Sequence, residues 1–488
     1  MQKHIRTNVN LGIQNNFHQS RIGKTQAESP KEASVNTAAP VQNPIKQQSF
    51  TAASAPVSLR TSLTTNEEKQ KYSALSSSLD KQGRKNLELL LKNGKLLNAN
   101  SNDKSSTLDN LHKIMTIPRA EGLDPKVVLK ETVATIANPY IVTQQFGDIP
   151  KQYVKKALEV GRESDAKIAP SADAAKNSPE NGVNEKTIDV QHSGSCVAAS
   201  IEFNLAYQMP AEFARFAAEL SSKNVSVTKN IDTKNLANNA LDAVWLLNAF
   251  EVPYEMTNFD TAKLTLAPDK GALLRAQIQN SNKDPLERSL VDVLMQSTFM
   301  NVGSQQAYNS MTDVRKGKFN QNDRGLIEFE KTFTESVVMD KNKVSVTYQI
   351  VDENAKLVGY EADFNTVKKH ILDSLAIGEN VIIGYTLTDS ESTIINGHEI
   401  TIVGARQEKD GKLTFICNDT DDNNPKPIEY SEDYIIPKIH HAGLPQKVVE
   451  KDVKFVDNWV EGINAYKKAK EEPAKEVPIA PSNVAQAA

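Results

Sequence analysis

Cys196 is the residue of this chain best placed to act as a nucleophile. It follows the polar run Gln191-His-Ser-Gly-Ser and precedes an apolar stretch in which Ala199, Phe203 and Ala206 recur at helical spacing. A helix is therefore predicted to begin at or near Cys196. A thiol in the first helical turn feels the positive end of the helix dipole, which favours the thiolate. Backbone N–H groups of that turn could also hold an oxyanion. The alternative is a buried, inert cysteine.

A cysteine nucleophile needs a base to take its proton and an acceptor to orient that base. Among the 8 histidines, His398 is the candidate base, because Asn396-Gly397 places it at the mouth of a predicted strand. The return strand of the same hairpin ends in Asn418-Asp419, and either side chain could accept a hydrogen bond from the ring. A four-residue loop would pair Arg406 with Gly411 and put His398 opposite Asp419, whereas a tighter turn would shift this register. The alternative is a histidine at a strand end with no catalytic role.

Two stretches of the sequence resemble papain-like cysteine peptidases, including the group that removes bacteriocin leaders. The first is Gly194-Ser-Cys-Val-Ala-Ala-Ser200, which is similar to the run around their nucleophile, with Val197 where an aromatic residue is usual. The second is Gly397-His-Glu-Ile-Thr-Ile-Val-Gly404, followed after a turn by a strand that ends at Asp419. The resemblance extends from about Lys186 to Pro437. It implies an α+β papain-like fold, in which a helical lobe carries the cysteine and an antiparallel sheet lobe carries the histidine and the aspartate.

The resemblance also implies a role for each candidate residue. Cys196 would attack the carbonyl carbon of a peptide or isopeptide bond, and His398 would take and return the proton. Asp419, or alternatively Asn418, would orient the imidazole, while Gln191 and the backbone N–H of Cys196 would stabilise the oxyanion. Two other functions stay open. One is a catalytically inactive interaction protein with this fold, and the other is a transglutaminase-like acyl transferase, in which the order Cys, His, Asp is the same.

The composition changes along the chain in a way that divides it into five parts. Residues 1–65 are rich in polar residues and proline and are predicted to be a disordered leader, because they cannot bury enough apolar surface to offset their ordering entropy. A small helical domain is predicted over 66–160, a linker over 161–187, the peptidase domain over 188–470 and a disordered tail over 471–488. The position of the helical unit before the nucleophile indicates a pro-segment or substrate gate. An independent binding domain is the alternative.

Charge and composition argue against several classes of protein. The 488 residues include 57 Lys+Arg and 61 Asp+Glu, with no basic stripe, so a peptide or protein substrate is the expected partner rather than nucleic acid. No apolar run is long enough to span a bilayer, and the N-terminus lacks a Sec-type signal, which predicts a protein that is cytoplasmic or exported without such a signal. The 2 cysteines are too few for a disulfide framework. No cofactor is expected, and no metal, since His440 and His441 should point to opposite faces of an extended chain.

Overall fold

The computed structural model shows a mixed α+β protein with antiparallel sheets, as the sequence predicts. None of the helices it describes is long and apolar enough to cross a membrane. Gln191, most of the predicted linker and the whole predicted tail lie outside the residues that it describes, and the predicted domain boundaries at 188 and 470 stay predictions. The described residues are 49–51, 59–145, 149–150, 152–153, 155–157, 159–160, 183–184, 187–188, 194–281, 287–311, 313–315, 317, 325–352, 354–421, 424–452 and 456.

Several helices begin where a capping side chain accepts a hydrogen bond from a free N–H group of the first turn. Asp124, for example, accepts a hydrogen bond from the N–H of Lys126 at 2.8 Å, and Pro125 is the first residue of its helix. The cysteine helix begins at Cys196, as predicted. The described residues between 152 and 160 are also helical. The labelled α-helices are α1 (Asn66–Ser78), α2 (Lys81–Lys92), α3 (Thr107–Thr116), α4 (Pro125–Ala137), α5 (Cys196–Gln208), α6 (Pro210–Leu220), α7 (Ala240–Ala249), α8 (Ala272–Ser281), α9 (Leu290–Gly303), α10 (Glu328–Met339), α11 (Phe364–Ala376) and α12 (Glu432–Ile435).

The strands form one large sheet and several small ones, all paired antiparallel. The strands are β1 (Ser49–Thr51), β2 (Ile149–Pro150), β3 (Val183–Asn184), β4 (Thr187–Ile188), β5 (Val227–Asp232), β6 (Tyr254–Asn258), β7 (Thr261–Leu266), β8 (Tyr308–Asn309), β9 (Val314–Arg315), β10 (Lys343–Thr347), β11 (Gln349–Val351), β12 (Leu357–Tyr360), β13 (Val381–Thr388), β14 (Ile394–Gln407), β15 (Leu413–Asn418), β16 (Ile428–Ser431) and β17 (Ile439–Pro445). The large sheet has the order β10-β17-β13-β14-β15-β16, and β1 also pairs with β14. β1 lies within the predicted disordered leader, so these three residues depart from that prediction.

The register of the β14–β15 hairpin differs from the predicted one. Gln407 pairs with Leu413 across a five-residue loop, so Arg406 pairs with Thr414 and not with Gly411, the partner that a four-residue loop would give it. The register shifts again between Ile402 and Gly404, where the strand carries an irregularity. β14 also begins four residues before His398, which therefore lies inside the strand rather than at its mouth.

The N-terminal helices and the cysteine lobe contribute to the same hydrophobic core. Buried side chains of α1 to α4 pack in one cluster with those of α5, α6, α9 and α10. Hydrogen bonds reinforce this packing against α6: the Asn110 side chain donates to the carbonyl of Ala211 at 3.1 Å, and the N–H of Asn102 donates to Glu212 at 2.8 Å. A second hydrophobic core lies between the large sheet and α11. The predicted helical unit is thus in direct contact with the elements that carry Cys196.

Candidate active site

Three of the four predicted site residues meet where α5 approaches one end of the large sheet. Cys196 is the first residue of α5, His398 lies in β14, and Asp419 directly follows β15. Nε2 of His398 is 2.7 Å from Oδ1 of Asp419, and the Cys196 side chain is within hydrogen-bonding reach of the same ring. The rings of Tyr385 and His398 are nearly perpendicular, with a centroid distance of 5.8 Å. The fourth residue, Gln191, lies outside the described residues.

The electrostatics of the site favour a charged imidazole. Burial alone would lower the pKa of His398, but hydrogen bonds to Asp419 and Cys196, together with their negative charge, raise it well above its ordinary value. Burial acts in the opposite sense on Asp419, yet the hydrogen bond and the charge of His398 lower the pKa of this carboxyl overall. Only 13% of the His398 side chain and 10% of the Asp419 side chain are exposed, so bulk water screens this pair weakly. The arrangement suits a thiolate–imidazolium pair supported by a carboxylate.

Asp419, and not Asn418, contacts the histidine. Asn418 is the last residue of β15 and pairs with Thr401, with its side chain buried. Asp419 comes one position later, where the chain leaves the strand and turns. Its Oδ1 accepts the N–H of Asp421 at 3.0 Å in addition to the contact with His398, and this second bond fixes the carboxylate in the turn.

Two buried charged residues hold the loop immediately before Cys196. Asp313 accepts a hydrogen bond from the N–H of Gly194 at 3.1 Å, and a nitrogen of the Arg288 guanidinium lies 3.6 Å from the same carboxylate oxygen. Arg288 also donates to the hydroxyl of Ser195. Tyr308 donates its phenolic proton to the other oxygen of Asp313. The backbone that leads into the nucleophile is thereby fixed by groups that are themselves buried.

Gln144 connects this loop to the turn that carries Asp419. Its carbonyl accepts hydrogen bonds from Arg288 at 2.9 and 2.6 Å, and its N–H donates to the carbonyl of Thr420 at 3.0 Å. Its side-chain amide donates to Asp421 at 3.1 Å. Gln144 therefore helps to set the position of Cys196 relative to Asp419. Sequence reasoning missed Arg288, Asp313 and Gln144, because an isolated arginine, aspartate or glutamine carries no local signal of burial.

The second cysteine has the properties of a core residue. Cys417 is fully buried in β15, and burial raises the pKa of its thiol. A thiol that stays protonated is a poor nucleophile. Cys196 is only partly buried, so the two cysteines differ in accessibility as well.

Two buried carboxyl groups lie next to each other between the cysteine helix and α9. Burial raises the pKa of Glu202 well above its ordinary value, and the nearby charge of Asp292 adds to this effect. Burial also raises the pKa of Asp292. Gln296 donates a hydrogen bond to Glu202 at 2.9 Å and another to the carbonyl of Thr143 at 2.9 Å. Burial therefore favours the protonated form of Glu202 in the folded protein.

The expectation that His440 and His441 point apart is wrong. In the pairing of β13 with β17, Gly384 faces His441 and Tyr385 faces Ile439, so His440 is an extra residue at an irregularity. This irregularity brings the two Nδ1 atoms to 2.9 Å from each other. The strict alternation of a regular strand does not apply at such a position.

Comparisons of the chain with protein-family models, with curated proteins and with solved structures found no significant match. The interpretation of the site therefore depends on its geometry and on the sequence pattern.

Proposed function

We propose that this chain is a papain-like cysteine peptidase that hydrolyses peptide or isopeptide bonds through Cys196, His398 and Asp419. The observation that carries the proposal is the arrangement of these three residues, which we call the row. The thiol lies at the start of a helix, the imidazole is within its reach, and a buried carboxylate lies 2.7 Å from Nε2 of that imidazole. A nucleophile, a base and a group that orients the base are the arrangement typical of nucleophilic catalysis by cysteine. The packing of the cysteine helix against an antiparallel sheet supports the papain-like assignment.

Each residue of the row has a defined part in the reaction. Because Nε2 of His398 faces Asp419, Nδ1 is the nitrogen that exchanges a proton with the sulfur of Cys196. The thiolate attacks the carbonyl carbon, and the imidazolium then gives its proton to the departing amine, which leaves a thioester. Water attacks the thioester while His398 takes a proton from it, and the carboxylate product leaves as the thiolate re-forms. Asp419 holds the ring orientation throughout and stabilises its charged form.

The oxyanion of the tetrahedral intermediate would be held at the start of α5. Backbone N–H groups in the first turn of a helix have no intrahelical partners and point towards incoming negative charge. The N–H of Cys196 is the nearest such group to the sulfur. Gln191 would provide a side-chain donor, and one oxyanion donor lowers the activation barrier by on the order of 3 kcal/mol.

The test is cleavage of a peptide library by the full-length chain, with new amino termini read by mass spectrometry. Cleavage is expected with the wild-type chain and should be absent with Cys196→Ser and with His398→Ala. Cys417→Ala is the matched control, because it removes the other thiol and leaves the row intact. Cleavage by Cys196→Ser would overturn the proposal.

The same experiment separates the other two functions. A primary amine added to the reaction would be joined to the peptides by an acyl transferase, whereas a hydrolase gives mainly free carboxyl ends. If the chain is an inactive interaction protein, neither product should form. A thiol probe should then label Cys196 at the same rate in the wild-type chain and in the His398→Ala variant.

A further inference from the structure

A second group of chemically capable side chains lies at the junction of α10 and β17. Nδ1 of His440 and Nδ1 of His441 are 2.9 Å apart, and Oε1 of Glu328 is 3.5 Å from the first and 4.0 Å from the second. These three atoms all lie within 4.8 Å of one another. Ligand atoms bound to one zinc-sized cation at about 2.0–2.1 Å are separated by roughly 3.3 Å, which is close to this spacing.

Each ring nitrogen of His441 faces one neighbouring group. Its Nδ1 faces Nδ1 of His440, and its Nε2 lies 2.8 Å from Oε1 of Glu399. A proton on Nε2, beside this carboxylate, leaves the lone pair of a neutral ring on Nδ1, which a cation would bind in place of the contact with His440. A histidine held by a carboxylate through its outer nitrogen is a recurring arrangement around protein-bound metals.

The backbone is shaped to admit the His441 ring. A Cβ atom on Gly384 would lie 2.1 Å from Cε1 of this ring and 2.5 Å from Oε1 of Glu399. Glycine at this position lets both groups lie over the strand. The irregularity at His440 then brings the second ring to the same place.

The local charges are compatible with a divalent cation. Glu399 is shared between His441 and Lys331, whose Nζ lies 3.2 Å from its Oε2. The carboxylates of Glu328 and Glu399 and the ammonium group of Lys331 together carry one negative charge beside the two imidazole rings. The Glu328 side chain is 21% exposed, which gives a cation a route from solvent.

We propose that Glu328, His440 and His441 bind a zinc-class divalent cation. Two imidazoles and one carboxylate are ligands of intermediate softness, which suit Zn²⁺ or Co²⁺ better than Ca²⁺ or Mg²⁺. Three protein ligands leave a fourth position for water. Glu328 is the first residue of α10, so the cation would fasten the start of this helix to β17. The site is distinct from the row that contains Cys196, although Glu399 is the sequence neighbour of His398.

The experiment is a Co²⁺ and Zn²⁺ titration of the full-length chain after treatment with a chelator. The measurement is made in a Cys196→Ser background, because a cysteine and a histidine at the candidate active site could themselves bind a transition metal. Visible absorption of Co²⁺ reports the coordination geometry, and a missing thiolate-to-cobalt band reports that the ligands are nitrogen and oxygen. We expect one equivalent to bind tetrahedrally and to raise the melting temperature, since a ligand that binds only the folded state stabilises it.

Two variants test the assignment, and each changes one ligand. Glu328→Gln and His440→Gln should weaken Co²⁺ binding by more than the roughly tenfold to hundredfold typical of residues outside the ligand shell. His112→Gln is the matched control, because it removes a half-exposed imidazole elsewhere and should bind as tightly as the parent chain. Melting of the metal-free variants checks that they fold. Equal binding by the parent chain and both ligand variants would overturn the proposal, as would the absence of stoichiometric binding. Neither result bears on peptide cleavage, which is tested separately with the Cys196 and His398 variants.

Discussion

Nε2 of His398 lies 2.7 Å from Oδ1 of Asp419, although the strand register pairs neither residue with the other. His398 pairs with Tyr385, and the last paired residue of β15 is Asn418. The contact arises because the chain turns directly after β15, which carries the Asp419 side chain back towards β14. A hydrogen bond from Asp421 to Asp419 then fixes the turn.

This geometry predicts different consequences for two adjacent residues. Asp419→Ala should lower peptide turnover by about a hundredfold or more, because the imidazole loses both its orientation and its compensating charge. Asn418→Ala should leave turnover per folded molecule unchanged, since Asn418 pairs with Thr401 and it is Asp419 that is hydrogen-bonded to the ring. Turnover normalised to the Cys196 thiol titre is the measurement. The reverse order of effects would transfer the orienting role to Asn418.

The stability of the loop before Cys196 should depend strongly on Asp313, which faces Arg288. Asp313→Asn is expected to lower the free energy of unfolding by about 3 kcal/mol, because it removes the negative charge that lies 3.6 Å from the buried Arg288 guanidinium. Urea denaturation measures this loss. Asp373→Asn is the matched control, since its contact with Lys369 is exposed to solvent and should contribute little to stability. Similar losses in both variants would show that Asp313 does not stabilise the loop through its charge.

Glu202 should make stability fall as the solution becomes more alkaline. In the unfolded chain it releases its proton near a pH of about 4.3, whereas burial raises its pKa in the folded protein. Between these two pKa values the unfolded state binds fewer protons than the folded state. Glu202 therefore lowers the free energy of unfolding by up to ~1.4 kcal/mol for each pH unit of increase in this range. Glu202→Gln should flatten this part of the profile, as measured by urea unfolding across pH. Glu67→Gln, at an exposed helix position, should not change its slope.

The packing of the N-terminal helices predicts how they respond to cleavage of the linker. They share a core with the cysteine helix, so a chain cut once within residues 161–182 should remain associated on size-exclusion chromatography. Cys196 should then react at an unchanged rate. The proposed role as a restraining pro-segment makes the opposite prediction, because a tethered inhibitor of low intrinsic affinity leaves when its tether is cut. Dissociation together with faster labelling would support that role.

The parts of this site that the sequence predicts are those with strong local signals. Small residues after a glycine-containing turn predict the helix start at Cys196, and alternating apolar residues predict the strand of His398. The register was not predictable, because the loop length and the irregularity after Ile402 shift the pairing without a clear sequence mark. The same limit applies to His440. It is an extra residue in the pairing of β17 with β13, so side chains there do not alternate between the two faces of the sheet. Arg288 and Asp313 lie far from Cys196 in sequence, and only the tertiary packing brings them to it.

The rate of Cys196 alkylation as a function of pH tests the central claim most directly. At about pH 6 a free cysteine, with a pKa of about 8.5, is almost entirely protonated and reacts slowly with iodoacetamide. We predict that Cys196 of the folded chain reacts much faster than this at about pH 6, that Cys417 stays unlabelled because it is buried, and that His398→Ala abolishes the excess rate. Identical pH profiles for the wild-type chain and for His398→Ala would contradict a thiolate–imidazolium pair at this site.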